Sequence, residues 1–200
     1  MTIGIALKDK KNNRIILGSD RQATIHDIKT TIPETKYVMK EVKIVDGYGN
    51  HIDTHEIYFL FAGLGFLRDF MEHSFNIPDM QENQKNFIEY LYNDLLEDFR
   101  EQLLDKKLLG TKNDMFATNS NIIIIYDNEI YELDDNLGIN KVKDYSVIGS
   151  GWRIATGSLY TNLHFHNHMD YRDMVKQAII TCGVNHIHCD TNVDILIIKS

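Results

Sequence analysis

The sequence predicts an α+β fold in which two β-sheets face each other and helices cover both outer faces. Strand-like runs alternate with pairs of helix-like segments, in the order strands, two helices, strands, two helices, strand. This order favours layered packing over repeated βαβ units. Several predicted strands are apolar on both faces, for example residues 57–61 and 122–126, so each sheet needs cover on both sides.

The composition is that of an ordinary globular chain and argues against several classes of protein. The 200 residues carry a net charge of −8, so a nucleic-acid-binding surface, which needs clustered basic residues, is not expected. The apolar runs are too short to cross a bilayer, and the start lacks the pattern of a signal peptide. With two prolines and no low-complexity linker, we expect one domain over residues 1–200.

The first half of the chain reads as two β-hairpins. Apolar runs at residues 2–7 and 15–17 flank a charged turn, and weaker alternation follows over residues 22–31. Two longer strands, residues 37–46 and 51–61, enclose a Gly-rich tip typical of a hairpin. The second of these strands runs into Gly63.

Helical spacing of apolar residues begins after Gly63 and alternates with strands to the end of the chain. Residues 66–71 predict a first helix, which Pro78 stops, and residues 84–109 predict a long amphipathic helix with Gly110 as its C-cap. Residues 121–126 and 129–133 predict a hairpin. The remaining predicted elements are a strand at 145–148, helices at 152–163 and 171–182, and a strand at 193–198.

Cysteine and histidine spacing gives no sign of a metal site or a cofactor. Cys182 and Cys189 lack zinc-finger spacing and suit a reducing cytosol. Alternating histidines would form ligands on a strand face, but they lie in a predicted loop without a carboxylate or cysteine at ligand spacing. We therefore expect surface or inter-subunit histidines at these positions: His164, His166, His168, His186 and His188.

Thr2 is a candidate nucleophile because initiator methionine is normally removed before a residue as small as threonine. Removal of Met1 would leave a free α-amine beside the Thr2 hydroxyl. An α-amine has a pKa of about 7.7–8.0, so part of it is neutral near pH 7 and accepts the hydroxyl proton. The alternative interpretation of Thr2, as the first residue of a strand, is common among proteins that begin Met-Thr.

Five stretches in this order resemble the proteasome β-type family of N-terminal-nucleophile hydrolases. The first is Thr2, placed like the processed N-terminal threonine of that family. The second is Gly-Ser-Asp-Arg-Gln-Ala-Thr at residues 18–24, in which Asp20 matches the aspartate that pairs with the catalytic lysine. The third stretch, which carries a lysine, is described below. The fourth is Ala-Gly at residues 62–63, where Gly63 matches the oxyanion-hole glycine. The fifth is Gly-Ser-Gly-Trp at residues 149–152, where Ser150 matches the serine that binds near the amine.

The third stretch carries the catalytic lysine, for which there are two candidates. Ungapped counting from Asp20 places that lysine at Lys36, and folding the hairpin sets Lys36 opposite the strand that reaches Gly63. Lys40 is the rival, because an apolar residue, Ile44, follows it by four positions. Lys36 is preferred; the alternative for either residue is a solvated strand lysine.

The resemblance implies a four-layer αββα sandwich and a threonine-type endopeptidase that needs no cofactor or metal. It implies cytoplasmic homo-oligomers, with nucleophiles enclosed in a ring or in stacked rings, acting on protein or peptide substrates with an ATPase unfoldase as partner. The chain departs from the family motif after the last helix, where His186 replaces an aspartate and Cys189 a serine. Two alternatives follow: an inactive proteasome-like ring or scaffold, and a small-molecule amidase of the same fold.

Overall fold

The computed structural model describes residues 2–25, 28–84, 86–108, 110–112, 115–166 and 168–199. This part of the chain contains five α-helices and one π-helical turn. They are α1 (Gly65–His73), α2 (Phe87–Tyr90), the π-helical turn (Leu91–Leu95), α3 (Leu96–Asp105), α4 (Trp152–Phe165) and α5 (Tyr171–Asn185). The strands are β1 (Ile3–Asp9), β2 (Arg14–Asp20), β3 (Gln22–Ile25), β4 (Ile28–Thr31), β5 (Tyr37–Val45), β6 (His51–Ala62), β7 (Met80–Gln81), β8 (Gly110–Lys112), β9 (Met115–Ala117), β10 (Asn121–Tyr126), β11 (Glu129–Leu133), β12 (Ile139–Val142), β13 (Tyr145–Gly149) and β14 (Val193–Lys199).

Two large sheets form the centre of the molecule. The smaller has four strands in the order β13-β1-β2-β14, and the larger has six in the order β12-β11-β10-β6-β5-β7. All neighbouring strands are antiparallel except β5 and β7. Strands β3 and β4 form a separate two-stranded ribbon, as do β8 and β9.

The alternation of side chains along each central strand separates three hydrophobic layers. In β1, Ile3 and Ile5 face the helices α4 and α5, whereas Ala6 faces the other sheet. In β10, Ile124 faces the helices α1 to α3, whereas Ile123 joins Ala6 between the sheets. Because successive residues of a strand point to opposite faces, strands that are apolar throughout become buried on both sides. The predicted α+β sandwich with helices outside both sheets is confirmed.

The long helix predicted over residues 84–109 is shorter and less regular than expected. It begins at Phe87, contains the π-helical turn and ends at Asp105; Leu109, its predicted last residue, lies outside the described residues. Lys107 takes the left-handed conformation, with φ of 55°, and its N–H bonds to the Leu104 carbonyl. This is a Schellman-type end in which lysine occupies the position that glycine usually takes. The predicted C-cap, Gly110, instead belongs to β8, so that prediction was wrong.

Two further predictions need adjustment. The weak alternation over residues 22–31 corresponds to the ribbon β3–β4; residues 26 and 27, between the two strands, lie outside the described residues. Helix α4 extends past its predicted end through His164 to Phe165. No helix among the described residues has both the length and the apolar character needed to span a membrane.

Strand β6 ends in a backbone conformation that requires glycine, and this gives a first prediction. Gly63 has φ of 140°, and a side chain on it would collide with Ser120. We expect Gly63→Ala to lower the free energy of unfolding by about 1–3 kcal/mol, because strained backbone adds to the collision. Gly65, two residues on in α1, has open space around it, so Gly65→Ala should be neutral or stabilise by about 0.5–1 kcal/mol. Urea unfolding of both variants tests this; equal stability of the two would contradict it.

Candidate active site

The five predicted site residues come from five separate segments that end at one edge of the sandwich. Thr2 precedes β1, Asp20 ends β2, and Ser150 follows β13. Strand β1 pairs with both β2 and β13, so these three residues become neighbours. Lys36 precedes β5, and its carbonyl accepts a 3.0 Å hydrogen bond from Phe61 N of β6, which sets it beside Gly63.

Thr2, Asp20 and Lys36 form a buried hydrogen-bonded cluster. The Thr2 hydroxyl donates to Asp20 Oδ1 and accepts from Lys36 Nζ. Lys36 Nζ also donates to Asp20 Oδ1 at 2.6 Å. All three side chains are at most 10% exposed. The hydroxyl oxygen of Thr2 is therefore held between a cation and an anion, away from bulk water.

Asp20 is held by backbone donors from two directions as well as by side chains. Ile3 N donates to Oδ1 at 3.1 Å, and Asp190 N donates to Oδ2 at 2.9 Å. Together with Lys36 they orient the Asp20 carboxylate toward the Thr2 hydroxyl.

Burial and the neighbouring Asp20 carboxylate shift the pKa of Lys36 in opposite directions. Burial lowers the pKa of the Lys36 ammonium below its usual range, and the Asp20 carboxylate beside it partly offsets that shift. The ammonium also donates to the Gln22 carbonyl at 2.7 Å, so its hydrogens are directed at oxygen atoms. Lys36 consequently places a positive charge against the Thr2 oxygen while its proton is more weakly held than that of a solvated lysine.

Lys40, the rival lysine, lies elsewhere. Its ammonium donates to the carbonyls of Glu72 and Phe75, at 3.0 and 3.4 Å. These carbonyls belong to the last turn of α1 and the residues after it. A lysine at this position satisfies free carbonyls at a helix C-terminus, which gives Lys40 a structural role.

A cavity of about 720 Å³ opens in front of the cluster, and Thr2, Lys36 and Gly63 all line it. A volume of this size accommodates a small ligand or a few residues of a peptide. The turn after Gly63 is held by Ser120, whose hydroxyl accepts a 2.8 Å hydrogen bond from Leu64 N. Charged residues also line the cavity: Glu34, Lys36, Arg68 and Asp69.

Residues 149–151 hold the backbone of Thr2. Ser150 N donates to the Thr2 carbonyl at 3.0 Å. Gly149 has φ of 100°, and a Cβ on it would strike that carbonyl, so the close approach requires glycine. The Ser150 hydroxyl is buried and has no hydrogen bond of ordinary geometry within the described residues. It does interact with the Cys189 thiol, whose pKa it helps to lower.

Four contributors to the site were not predicted: the Ile3 and Asp190 amides, the Gln22 carbonyl and Ser120. The first three act through backbone atoms, which the type of side chain does not reveal. Ser120 reaches Leu64 because Asn121 pairs with Ala62 in the neighbouring strand. The contact of Ser120 with Leu64 could be predicted only from the register of these two strands, which the sequence does not give.

The histidines form no metal site in the described part of the chain. The His164 ring lies 2.9 Å from the Tyr160 carbonyl in its own helix, and the rings of His186 and His188 are 5.6 Å apart. Among the described residues, no three His, Cys, Asp or Glu side chains converge to hold a metal ion. His186, where the family has an aspartate, accepts from His188 N instead of contacting Asp20 or Thr2.

No family model matches the chain, and neither does any curated protein. Solved structures do match. BPH from Thiobacillus denitrificans is 13% identical with a TM-score of 0.74, over 100% of this chain and 98% of that one. HslV from Trypanosoma brucei is 16% identical with a TM-score of 0.62, over 100% of both chains. Anbu, the ancestral β-subunit from Yersinia bercovieri, is 11% identical with a TM-score of 0.63, over 99% of this chain and 82% of that one.

These three structures are proteasome β-type N-terminal-nucleophile hydrolases. One solved structure of BPH holds epoxomicin. At such low identities the likeness concerns the fold, and it extends over essentially the whole of this chain. The chain therefore has the fold of the proteasome β-type N-terminal-nucleophile hydrolases.

Proposed function

We propose that the chain is a threonine-type peptidase in which Thr2, freed by removal of Met1, is the nucleophile. The observation that carries this proposal is the Thr2 hydroxyl, bound between the Lys36 ammonium and the Asp20 carboxylate at the wall of a large cavity. A hydroxyl in these surroundings resembles the activated nucleophile of covalent catalysis more than a strand residue.

The proposed reaction proceeds through an acyl-enzyme. Thr2 Oγ attacks the carbonyl carbon of a peptide bond, and its proton passes to the α-amine of Thr2, directly or through water. The amine then protonates the leaving nitrogen as the C–N bond breaks. Water attacks the resulting ester, and the Thr2 hydroxyl is regenerated with release of the carboxylic acid.

Lys36 and Gly63 stabilise the charges that develop in these steps. The Lys36 ammonium favours negative charge on Thr2 Oγ and, being positive, favours the neutral form of a neighbouring amine. The N–H of Gly63 is the proposed donor to the oxyanion. Removing one such donor commonly costs about 3–4 kcal/mol of transition-state stabilisation.

Ser150 is the proposed anchor for the freed amine. Its N–H already holds the Thr2 carbonyl, and apart from an interaction with the Cys189 thiol its buried hydroxyl has no hydrogen bond of ordinary geometry among the described residues. An α-amine generated at Thr2 would be a suitable partner for this hydroxyl. Such a bond would fix the orientation of the amine toward Oγ.

We further propose protein or peptide substrates and a homo-oligomeric, cytoplasmic assembly served by an ATPase. The cavity volume suits a peptide segment, and two free cysteines suit a reducing compartment. Helix α4 carries two aromatic side chains that are about half exposed, Trp152 and Tyr160. Exposed aromatic groups of this kind support a contact with another subunit.

The decisive test is the intact mass of the purified protein with and without a peptide epoxyketone, which reacts with a hydroxyl and a free amine together. We expect a chain lacking one methionine and a single adduct on Thr2. Thr2→Ala should abolish the adduct, whereas Thr161→Ala, on the exposed face of α4, should keep it.

A retained Met1 or a processed chain without an adduct would contradict the peptidase assignment. The processed, unreactive chain would support the inactive scaffold instead. Turnover of unfolded casein compared with small amides separates a peptidase from an amidase.

The two lysines provide a matched comparison. We expect Lys36→Met to reduce peptide turnover by about 100-fold or more, because the charge beside Thr2 Oγ is lost. Lys40→Met should retain turnover and lose stability, because its ammonium binds the end of α1. Steady-state kinetics and urea unfolding of both variants test this.

Since Lys36→Met leaves Asp20 buried without its cation, the double variant Lys36→Met/Asp20→Asn is the folding control. It should fold and remain inactive. Equal loss of turnover in the Lys36 and Lys40 variants would overturn the assignment of Lys36.

A further inference from the structure

The two cysteines of the chain meet beside the candidate active site. Cys182 lies in the last turn of α5, and Cys189 lies in the segment that follows, residues 186–192. Their sulfur atoms are 3.0 Å apart, both thiols are free, and both residues are at most 1% exposed. Nothing in the proposed peptidase reaction uses either sulfur.

The sulfur pair lies directly beneath the turn that holds Thr2. Gly151, the residue after Ser150, has no side chain, and a Cβ there would collide with both sulfur atoms. The Cys182 thiol also lies 3.7 Å from the Gly151 carbonyl. The two sulfurs therefore fill the space between the end of α5 and the start of α4.

Cys189 is joined covalently to the group that orients Asp20. Asp190 is the next residue, and its N–H donates to Asp20 Oδ2. On the other side, the Asp190 backbone packs against Gly183 of α5 so tightly that a Cβ on Gly183 would overlap it. A shift of Cys189 toward α5 therefore acts on the Asp190 amide with little slack between them.

The two thiols are not equivalent. The Cys182 thiol donates to the Cys189 sulfur, which lowers the pKa of Cys189, and the same hydrogen bond together with burial raises the pKa of Cys182. Cys189 is also among the residues that line a cavity of about 240 Å³, together with Gln22 and Thr31. This cavity brings a small oxidant up to the segment that holds Cys189, whose side chain is itself buried. Thiolate character is one feature of an oxidation-sensitive cysteine, and the adjoining cavity is the route by which an oxidant would approach it.

We propose that Cys182 and Cys189 form a reversible oxidation site whose disulfide displaces the Asp190 amide from Asp20. The oxidant is hydrogen peroxide. The Cys189 thiol releases its proton, the thiolate attacks one peroxide oxygen, and the O–O bond breaks. A sulfenic acid and hydroxide form, and the hydroxide takes up the released proton to become water. The Cys182 sulfur then attacks the sulfenic sulfur and expels the oxygen as water. Two electrons pass from the sulfurs to the peroxide, which becomes two waters, and a dithiol reductant reverses the change.

The disulfide brings the two sulfurs from 3.0 Å to about 2.0 Å apart, which draws Cys189 toward α5. The Asp190–Asp20 hydrogen bond lengthens as a result, and Asp20 loses a donor that holds it against Lys36 and Thr2. The effect on turnover rests on the proposed peptidase function, whereas the disulfide and the movement of the segment do not.

The chemical arm of the test uses hydrogen peroxide on the folded, full-length protein. We expect titratable thiols to fall from two to none and the monomer mass to fall by two hydrogens, with both changes reversed by dithiothreitol. In Cys182→Ala, dimedone should trap a sulfenic acid at Cys189, whereas Cys189→Ala should trap far less at Cys182. Thiols that persist until the protein unfolds, or a disulfide that links two chains, would overturn the proposal.

The structural arm follows amide hydrogen exchange of residues 186–192 with and without peroxide. We expect faster exchange at Asp190 in the oxidised protein and recovery after reduction. Unchanged exchange in a fully oxidised protein would overturn the link to Asp20, whether or not the chain is a peptidase.

The functional arm compares turnover in the same samples. Oxidation should slow it about tenfold or more, since a misplacement of ~1 Å costs up to ~100-fold. The double variant Cys182→Ala/Cys189→Ala, treated with peroxide, should keep its own untreated rate, which separates the disulfide from methionine oxidation. An oxidised wild type with full turnover would overturn the functional effect. A reduced protein without turnover would count against the peptidase proposal alone, because the first two arms do not need activity.

Discussion

The site depends on a buried ion pair between the Lys36 ammonium and the Asp20 carboxylate. Such pairs are weak evidence for stability, because well-packed hydrophobic residues often do as well, whereas removing one partner costs about 3–5 kcal/mol. A pair of this kind therefore needs another explanation, and the Thr2 hydroxyl supplies it. The ammonium and the carboxylate both contact that hydroxyl, so the charges are arranged around one oxygen atom. This is the pattern expected of a reactive site.

The two-sheet sandwich is what brings these groups together. Each comes from the end of a strand or the residue beside it, and antiparallel pairing fixes which ends meet. Because side chains alternate along a strand, a shift of one residue in β2 would turn Asp20 away from Lys36. The helices stabilise both outer faces of the sheets and so hold this register. Fold and site thus depend on the same hydrogen-bond ladders.

The segment after α5 is where this chain departs most from the family motif, and it nonetheless reaches the site. The expected aspartate is His186, which bonds within its own segment. Asp20 is contacted instead by the backbone of Asp190. The support is a peptide N–H, which depends on the path of the chain. That path runs past the two sulfur atoms, so their oxidation state and the orientation of Asp20 are mechanically connected.

Local sequence by itself determined the longer strands, most of the helices and the layered α+β arrangement, because alternation and helical spacing record which faces are buried. It did not predict the short strands β7, β8, β9 and β12. The resemblance supplied the set of candidate residues, and the interval from Asp20 favoured Lys36. Only the tertiary structure decided that the Lys36 ammonium lies at Thr2 while Lys40 binds the end of α1. It also decided that Lys107 ends a helix, that the Asp190 amide holds Asp20, and that the cysteines meet. The physical reason is that backbone donors and distances through space depend on how distant segments pack, which side-chain patterns do not record.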